Sequence, residues 1–429
     1  MAESTTVTLQ DINAFKHKAL QWANYFNVVC LFDNNQYPHT NYQSVDWTLA
    51  VDATEELTCG DDAFDKLKAF QAASDRPIYG YMGYDLKNQL EKLESKHEDH
   101  VGFADMYFFK PRFILEIEGD RLTLNRNYPE TFELVEMITK MPAKPHSAAD
   151  VLTLRSRTSK ADYIANVEAI RQQIEAGDFY ELNYCNEFYA EGVKLNPLQT
   201  FIHLNESAKA PFSSYFKHGD KYLLCASPER FMKKEGAKLI SQPIKGTIRK
   251  GATAEETAQL KQQLQNDIKE RAENVMIVDL VRNDLARSCK PGTVKVEELF
   301  GVYEFNTVQQ MISTVVGEIR EEVQFTDAIK HAFPMGSMTG APKVMVMQTI
   351  EQYENFKRGL YSGAVGYIEP NTDFDFNVVI RSIFYNADNE YLSIRVGGAI
   401  TYDSIPEKEY EEMLLKAASL LKVLNASIA

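Results

Sequence analysis

The sequence predicts an α+β fold built on large antiparallel β-sheets. Many short apolar and aromatic-rich runs occur along the chain, and they lack the regular strand–helix alternation of a doubly wound fold. Stretches with apolar residues at helical spacing lie between them. A chain of 429 residues is long enough for two or three ordinary domains, or for one large domain with an elaborate core.

Residue periodicity assigns the elements in order. Apolar side chains recur at helical spacing between residues 160 and 176, and Gly177 ends that stretch. Further helices are predicted at residues 62–72, 254–285 with a break inside the span, 337–353, and 404–424, the last opening with a capping box at residues 404–407. Strands are predicted at residues 107–109, 113–117, 221–225, 237–240, 364–368, 377–384 and 391–396.

A candidate linker divides the chain into two regions. Residues 141–147 contain two prolines and little apolar content. They separate an N-terminal region, residues 1–150, from a C-terminal region, residues 155–429.

Composition excludes several classes of function. The net charge of −15 argues against a nucleic-acid partner. No segment approaches 18 uncharged apolar residues, and the N-terminus lacks the features of a signal peptide, so we expect no membrane span and a cytoplasmic location. The five cysteines are an odd number and form no CxxC pair, which indicates reduced thiols rather than a zinc site. None lies in a Gly-x-Cys-x-Gly elbow, so a cysteine glutaminase is not evident.

Lys245 lies in a tight, glycine-flanked turn, Pro243-Ile244-Lys245-Gly246-Thr247. If its amino group points into a cleft, it can lose its proton and act as a nucleophile. The alternative is a turn lysine in solvent.

Two pairs of carboxylates show the same spacing. Glu270 and Glu273 lie three residues apart on one predicted helix, and Glu409 and Glu412 do so on another, with Lys416 one turn beyond. Two such pairs could bind a hard cation such as Mg²⁺. The alternative is a solvated helix face, although Glu409, Glu412 and Lys416 fall beside the apolar stripe of their helix.

Other polar residues lie at positions suited to an anionic ligand. Glu229 follows a predicted strand, where an apolar wall would make it a general acid, or where it would pair with Arg230 on the surface. Arg381 lies inside an apolar run and requires an anionic partner, either a protein carboxylate or a substrate carboxylate. The segment around Ser337 precedes a predicted helix start, and Gly397 lies in a loop whose backbone N–H groups a small anion could approach.

These motifs, taken in order, resemble those of the chorismate-utilising enzymes, the family of anthranilate, aminodeoxychorismate, isochorismate and salicylate synthases. The matching blocks are residues 176–178, 227–230, 243–247, 269–273, 278–285, 336–343, 361–366 and 406–412. The resemblance is strong over residues 155–429 and looser over residues 1–150, which are similar to the N-terminal region of anthranilate synthase component I. It implies antiparallel sheets packed as a sandwich with helices outside, and a chorismate-binding catalytic domain at residues 155–429.

The resemblance also implies roles for individual residues. Glu273 and Glu412 match metal ligands of the family, with Glu270 and Glu409 beside them, and the metal would be Mg²⁺. Glu229 matches the general acid. The positions that hold the substrate carboxylates match Thr247, Ser337, Tyr361, Arg381, Gly397 and Lys416.

Lys245 selects a branch of the family. Anthranilate synthases usually carry alanine there, whereas the aminodeoxychorismate-forming branch of para-aminobenzoate and folate biosynthesis carries lysine. The resemblance implies that Lys245 attacks C2 of chorismate as the C4 hydroxyl leaves, and that ammonia from a separate glutamine amidotransferase subunit then enters at C4. The alternatives are an anthranilate synthase component I and a chorismate-binding regulatory subunit without turnover.

Some positions depart from the family pattern. Gln310 stands where relatives often have a histidine linked with pyruvate elimination, and Asn274 replaces another common histidine. Glu181 matches the position of a basic lysine in the isochorismate and salicylate branches, which argues against water attack at C2. Residues 31–34 match poorly with the element of tryptophan-sensitive members.

Overall fold

The computed structural model describes residues 5–37, 42–43, 45–124, 131–142, 151–306 and 308–429. The helices are α1 (Ile12–Ala23), α2 (Ala63–Ala72), α3 (Lys87–Leu90), α4 (Thr131–Lys140), α5 (Lys160–Ala176), α6 (Pro197–Ala208), α7 (Ala254–Asn266), α8 (Ile268–Ala286), α9 (Phe325–Ala332), α10 (Lys343–Tyr353) and α11 (Pro406–Val423). Short 3₁₀ helices lie at Tyr84–Leu86 and Gly336–Met338.

The strands of the first half are β1 (Thr5–Thr8), β2 (Val28–Asp33), β3 (Trp47–Cys59), β4 (Ile78–Met82), β5 (Met106–Glu118), β6 (Arg121–Leu124), β7 (Leu152–Ser156), β8 (Glu181–Ala190), β9 (Phe212–His218) and β10 (Lys221–Ser227). The remaining strands are β11 (Arg230–Glu235), β12 (Lys238–Gln242), β13 (Ile244–Arg249), β14 (Lys295–Glu304), β15 (Val308–Glu318), β16 (Gly340–Ala341), β17 (Ala364–Ile368), β18 (Phe374–Val378), β19 (Ser382–Asn386), β20 (Tyr391–Ile400) and β21 (Ala426–Ile428).

Antiparallel pairing joins most of these strands into one network. The long ladders are β3 with β5, β8 with β20, and β14 with β15. The pairing of β7 with β21 is parallel. Alternate residues of a strand point to opposite faces, so Val28 and Cys30 of β2 enter one apolar core while Val29 and Leu31 enter another. The second core is covered by helices that include α1, α5, α6 and α11, and the predicted α+β class is confirmed.

Strands from both predicted regions pair with each other. Strand β2 pairs with β9, and β4 pairs with β17, so residues before and after the candidate linker share a sheet. Most of that linker lies outside the described residues, and the division at residue 150 stays a prediction. No helix in the described part of the chain is long and apolar enough to cross a bilayer. The five cysteines are buried and unpaired, as expected.

Several predicted elements are confirmed and others are wrong. Helix α5 ends at Gly177, whose φ is +89°, and the break predicted within residues 254–285 lies at Asp267, which caps α8. The strand predicted at residues 377–384 is wrong, because Arg381 has a φ of +53° and separates β18 from β19. The capping box at residues 404–407 is also wrong, because the Ser404 hydroxyl donates to Glu409 at 2.7 Å instead of capping α11.

The helix predicted from residue 337 starts later, at Lys343. Before it, the chain forms a 3₁₀ turn and then the two-residue strand β16, which pairs with the start of β8 at Glu181 and Leu182. Gly340 of β16 has a φ of +147°, and a Cβ there would lie 1.9 Å from the carbonyl oxygen of Glu181. This close approach requires glycine at position 340. The pairing of β16 with β8 in turn holds Glu181 in place.

Replacement of Gly340 by alanine should therefore destabilise the protein through a backbone clash. We expect Gly340→Ala to lower the free energy of unfolding by about 2–4 kcal/mol, because the β16–β8 pairing must separate. Gly192→Ala is the matched control: Gly192 has a φ of +69° but no atom within 4 Å of its Cβ position, so only the strain of about 1 kcal/mol applies. Denaturant unfolding measures both, and equal losses would contradict the clash.

Candidate active site

Strand β13 bends at Gly246, and the bend decides where Lys245 points. Gly246 has a φ of +94°, and the pairing of β13 with β15 shifts register there. The Lys245 side chain is only 13% exposed, and its Nζ lies 2.8 Å from Glu181 Oε1 and 3.9 Å from Glu273 Oε2. The alternative interpretation, a turn lysine in solvent, is therefore excluded.

Neighbouring carboxylates raise the pKa of Lys245 above its usual value. Burial is the largest single influence and lowers the pKa, but Glu181, Glu273 and Glu412 together outweigh it. This arrangement of charges therefore favours the ammonium form of Lys245. Sequence reasoning noted Glu181 only as a departure from the family pattern, and it missed the direct contact with Lys245.

Glu229 is buried in the connection between β10 and β11. Burial raises the pKa of Glu229 to about 7, although a hydrogen bond with Ser337 and the charge of Lys245 act in the opposite direction. Its neighbour Arg230 is also buried and donates to Asp375 through Nε and Nη2, at 2.8 Å and 3.0 Å. Glu229 is thus not the surface partner of Arg230, and its environment is that of a general acid near neutral pH.

The two carboxylate pairs lie on α8 and α11, and their charges act on each other. Burial, followed by the charge of Glu273, raises the pKa of Glu270 to about 7, and Glu412 of the other helix adds to the effect. Glu409 is 6% exposed and accepts the hydrogen bond from Ser404. Glu270 and Glu409 therefore do not lie on a solvated helix face. Glu412 is half-exposed and pairs with Lys416.

The donor chemistry of the four side chains fits a hard divalent cation, because carboxylate oxygens are the ligands that Mg²⁺ prefers. After the larger effect of burial, the charges of Glu273 and Glu412 also raise the pKa of Glu270, so negative charge accumulates between the two helices. Their spacing is looser than that of a formed site: among the described residues, no three His, Cys, Asp or Glu side chains gather closely enough to hold one ion. The magnesium assignment stays a prediction.

The Arg381 guanidinium has no carboxylate partner among the described residues. Its Nη1 donates to the Lys416 carbonyl oxygen at 3.3 Å. Burial lowers the pKa of Arg381, while Tyr361 and Glu412 act weakly in the opposite direction. The role of Arg381 toward a substrate carboxylate stays a prediction.

Other predicted substrate residues cluster beside Arg381. Lys416 donates to the Gly397 carbonyl oxygen at 3.0 Å, so α11 and β20 hold each other at this point. A Cβ at Gly397 would lie 2.4 Å from Cys185 Sγ, which shows how closely the strands pack there. Tyr361 is buried with its hydroxyl 3.5 Å from the same sulfur. These residues lie close together, and their roles in substrate binding stay predictions.

Thr247 is exposed on β13, opposite Gln310 of β15. The Gln310 amide oxygen is buried and has no hydrogen-bond partner among the described residues. Asn274 accepts a hydrogen bond from Ser313 Oγ at 2.6 Å and lies within 3.5 Å of the Lys245 carbonyl oxygen, so this departure from the pattern supports the lysine strand.

A buried ion pair between Glu354 and Arg358, which was not predicted from the sequence, supports the site. Arg358 donates to both carboxylate oxygens of Glu354, at 2.8 Å and 2.6 Å. The same guanidinium donates to the carbonyl oxygens of Met338 and Asn183, at 2.7 Å and 2.8 Å. It thereby ties the Ser337 turn to β8. The i, i+4 spacing of Glu354 and Arg358 was the available signal, but that spacing is common on exposed helices.

Comparison with known proteins identifies the family. Residues 26–422 of this chain match the sequence pattern of the family described as "chorismate binding enzyme".

The chain belongs to this family. It is 35% identical over 359 residues to the chloroplastic aminodeoxychorismate synthase of Arabidopsis thaliana, and 32% identical over 366 residues to aminodeoxychorismate synthase component 1 of Bacillus subtilis. It is also 32% identical over 364 residues to anthranilate synthase component 1 of Cereibacter sphaeroides. The matches cover 79%, 81% and 80% of this chain.

Coverage of the relatives differs widely. The matches span 39% of the Arabidopsis protein, 77% of the Bacillus protein and 72% of the Cereibacter protein. A solved structure of anthranilate synthase component I from Streptococcus pneumoniae has a TM-score of 0.78 and 26% identity, covering 89% of this chain and 93% of that one. Relatives named for two different reactions thus match this chain about equally well.

The raised pKa of Glu229 predicts a pH-dependent cost to stability. The folded protein binds the Glu229 proton up to about pH 7, whereas the ordinary pKa is 4.5, so stability falls as pH rises between these values. Glu229→Gln removes this titration. Relative to wild type, the variant should gain about 3 kcal/mol of unfolding free energy between pH 5 and pH 8.5. Denaturant unfolding across that range measures the difference, and parallel pH curves for the two proteins would contradict it.

Proposed function

We propose that this chain is an aminodeoxychorismate synthase component I, which converts chorismate and ammonia to 4-amino-4-deoxychorismate. The observation that carries the proposal is the place of Lys245. It is buried between Glu181 and the carboxylate pairs rather than exposed, and it stands at the position where anthranilate-forming relatives usually have alanine.

The proposed reaction begins with a proton transfer. Because Lys245 is held as an ammonium, it must lose a proton before it can act, and Glu181 Oε1 at 2.8 Å is placed to accept it. The free amine then bonds to C2 of chorismate, the ring double bond shifts, and the C4–O bond breaks. Glu229, protonated below about pH 7, donates the proton with which the hydroxyl leaves as water.

Ammonia completes the reaction by bonding to C4 as the bond between C2 and Lys245 breaks. Arg381, Lys416 and the neighbouring backbone would bind the substrate carboxylates. Glu270, Glu273, Glu409 and Glu412 would hold Mg²⁺, whose charge offsets the repulsion between these carboxylates and a dianionic substrate. A separate glutamine amidotransferase would supply the ammonia, in the cytoplasm, for para-aminobenzoate and folate biosynthesis.

The second candidate is anthranilate synthase component I. One observation favours it: the raised pKa of Lys245 means an ammonium that is inert unless its proton leaves. An inert Lys245 would leave C2 of chorismate open to direct attack by ammonia.

A covalent adduct on Lys245 would distinguish these candidates. With chorismate and Mg²⁺ but no ammonium, the adduct has no ready exit, so intact-protein mass spectrometry should find an added mass of chorismate minus water. Peptide mapping should place it on Lys245. The adduct should be absent from Lys245→Ala and present in Lys250→Ala, because Lys250 lies on the same segment but pairs with Glu304. Lys245→Ala that still aminates C4 at near wild-type rate would refute the nucleophile.

Metal removal tests the carboxylate pairs. We expect EDTA to abolish turnover and Mg²⁺ to restore it. Glu412→Gln should reduce activity more than about a hundredfold without unfolding the protein, because it removes one ligand charge. Glu411→Gln is the matched control, since Glu411 is the exposed neighbour on the same helix. Full activity in EDTA, or equal losses in the two variants, would contradict the metal site.

A further inference from the structure

Glu270 and Glu273 of α8, with Glu409 and Glu412 of α11, form a carboxylate cluster, and lysine side chains lie among them. Each oxygen of Glu273 faces one of them: Lys269 Nζ lies 3.7 Å from Oε1, and Lys245 Nζ lies 3.9 Å from Oε2. Glu412 is paired with Lys416 at 2.8 Å. Ammonium groups therefore balance part of the negative charge that the proposed metal would balance.

Lys269 differs from the other two lysines. Lys245 also contacts Glu181, and Lys416 also donates to a backbone carbonyl, whereas Lys269 forms its ion pair with Glu273 and keeps 55% of its side chain exposed. It directly precedes Glu270 and lies one helical turn before Glu273. Among the described residues, its ammonium can thus swing into solvent at the cost of the ion pair with Glu273 alone.

The whole cluster acts on Lys269. Burial lowers its pKa, but the carboxylates outweigh burial, with Glu273 first and then Glu409, Glu270 and Glu412. The direct ion pair is with Glu273 of the same helix, and the charges of Glu409 and Glu412 on α11 add to its effect. A single flexible cation placed there reduces the repulsion across the cleft.

We propose that Lys269 is an internal counter-cation of the carboxylate cluster, which holds the two pairs together and yields its place to a divalent cation. The proposal rests on the magnesium site of the proposed function, but not on which amination follows. Lys269 is a positioning residue and touches no reacting atom.

Two opposite effects follow from this role. Because two positive groups at one site repel each other, Lys269 should weaken binding of Mg²⁺. Because like charges on α8 and α11 repel when nothing balances them, Lys269 should stabilise the protein in the absence of metal. A lysine that served only as a solvated surface residue would produce neither effect.

Isothermal calorimetry of the full chain with MgCl₂, without chorismate, tests the first effect. Lys269→Met should bind Mg²⁺ about three- to tenfold more tightly than wild type, since a unit charge a few ångströms away is removed. Lys269→Arg should bind as wild type does. Lys261→Met is the matched control, because Lys261 is exposed on α7, and it should leave the affinity unchanged.

Thermal melting tests the second effect without any activity. Lys269→Met should melt below wild type in EDTA and should gain more from Mg²⁺ than wild type does. Unchanged or weaker Mg²⁺ binding by Lys269→Met would overturn the counter-cation role while leaving the metal site intact. If wild type itself binds no Mg²⁺, both the metal site and this inference fail.

Discussion

A local excess of carboxylates surrounds Lys245, and the chemistry of the site depends on it. Glu181, Glu273 and Glu412 raise the pKa of the lysine against the effect of burial. Burial first, and then neighbouring carboxylates, raise the pKa of Glu270 to about 7. A buried lysine in an apolar pocket would be a neutral nucleophile at rest. In this chain the raised pKa favours the ammonium, so the proposed nucleophilic role requires that a proton leave Lys245 first.

The scaffold keeps that excess charge in place. Strands β8, β13 and β20 carry Glu181, Lys245 and Gly397, and antiparallel pairing fixes their register. Beneath them, Arg358 uses its planar fork to join Glu354, the Ser337 turn and β8. A buried pair of this kind fixes position more than it adds stability.

Local patterns in the sequence predicted much of the fold but not the turns that orient the site. Helix α5 and the break at Asp267 were predictable, because capping and periodicity are local. The interruption at Arg381, where φ is +53°, was not, because β18 pairs with β11 while β19 pairs with β10, and this long-range pairing leaves no local signal. The contact of Ser404 was not predictable either, because its hydroxyl donates to Glu409 instead of capping α11.

The candidate residues were largely predictable from motifs, but their charge states were not. The sequence places Lys245 and the carboxylates far apart, and the fold brings Glu181 within 2.8 Å of the lysine. Product analysis after incubation with chorismate, Mg²⁺ and ammonium decides between the two candidate reactions. We expect 4-amino-4-deoxychorismate from the wild type. Anthranilate as the product would contradict this expectation.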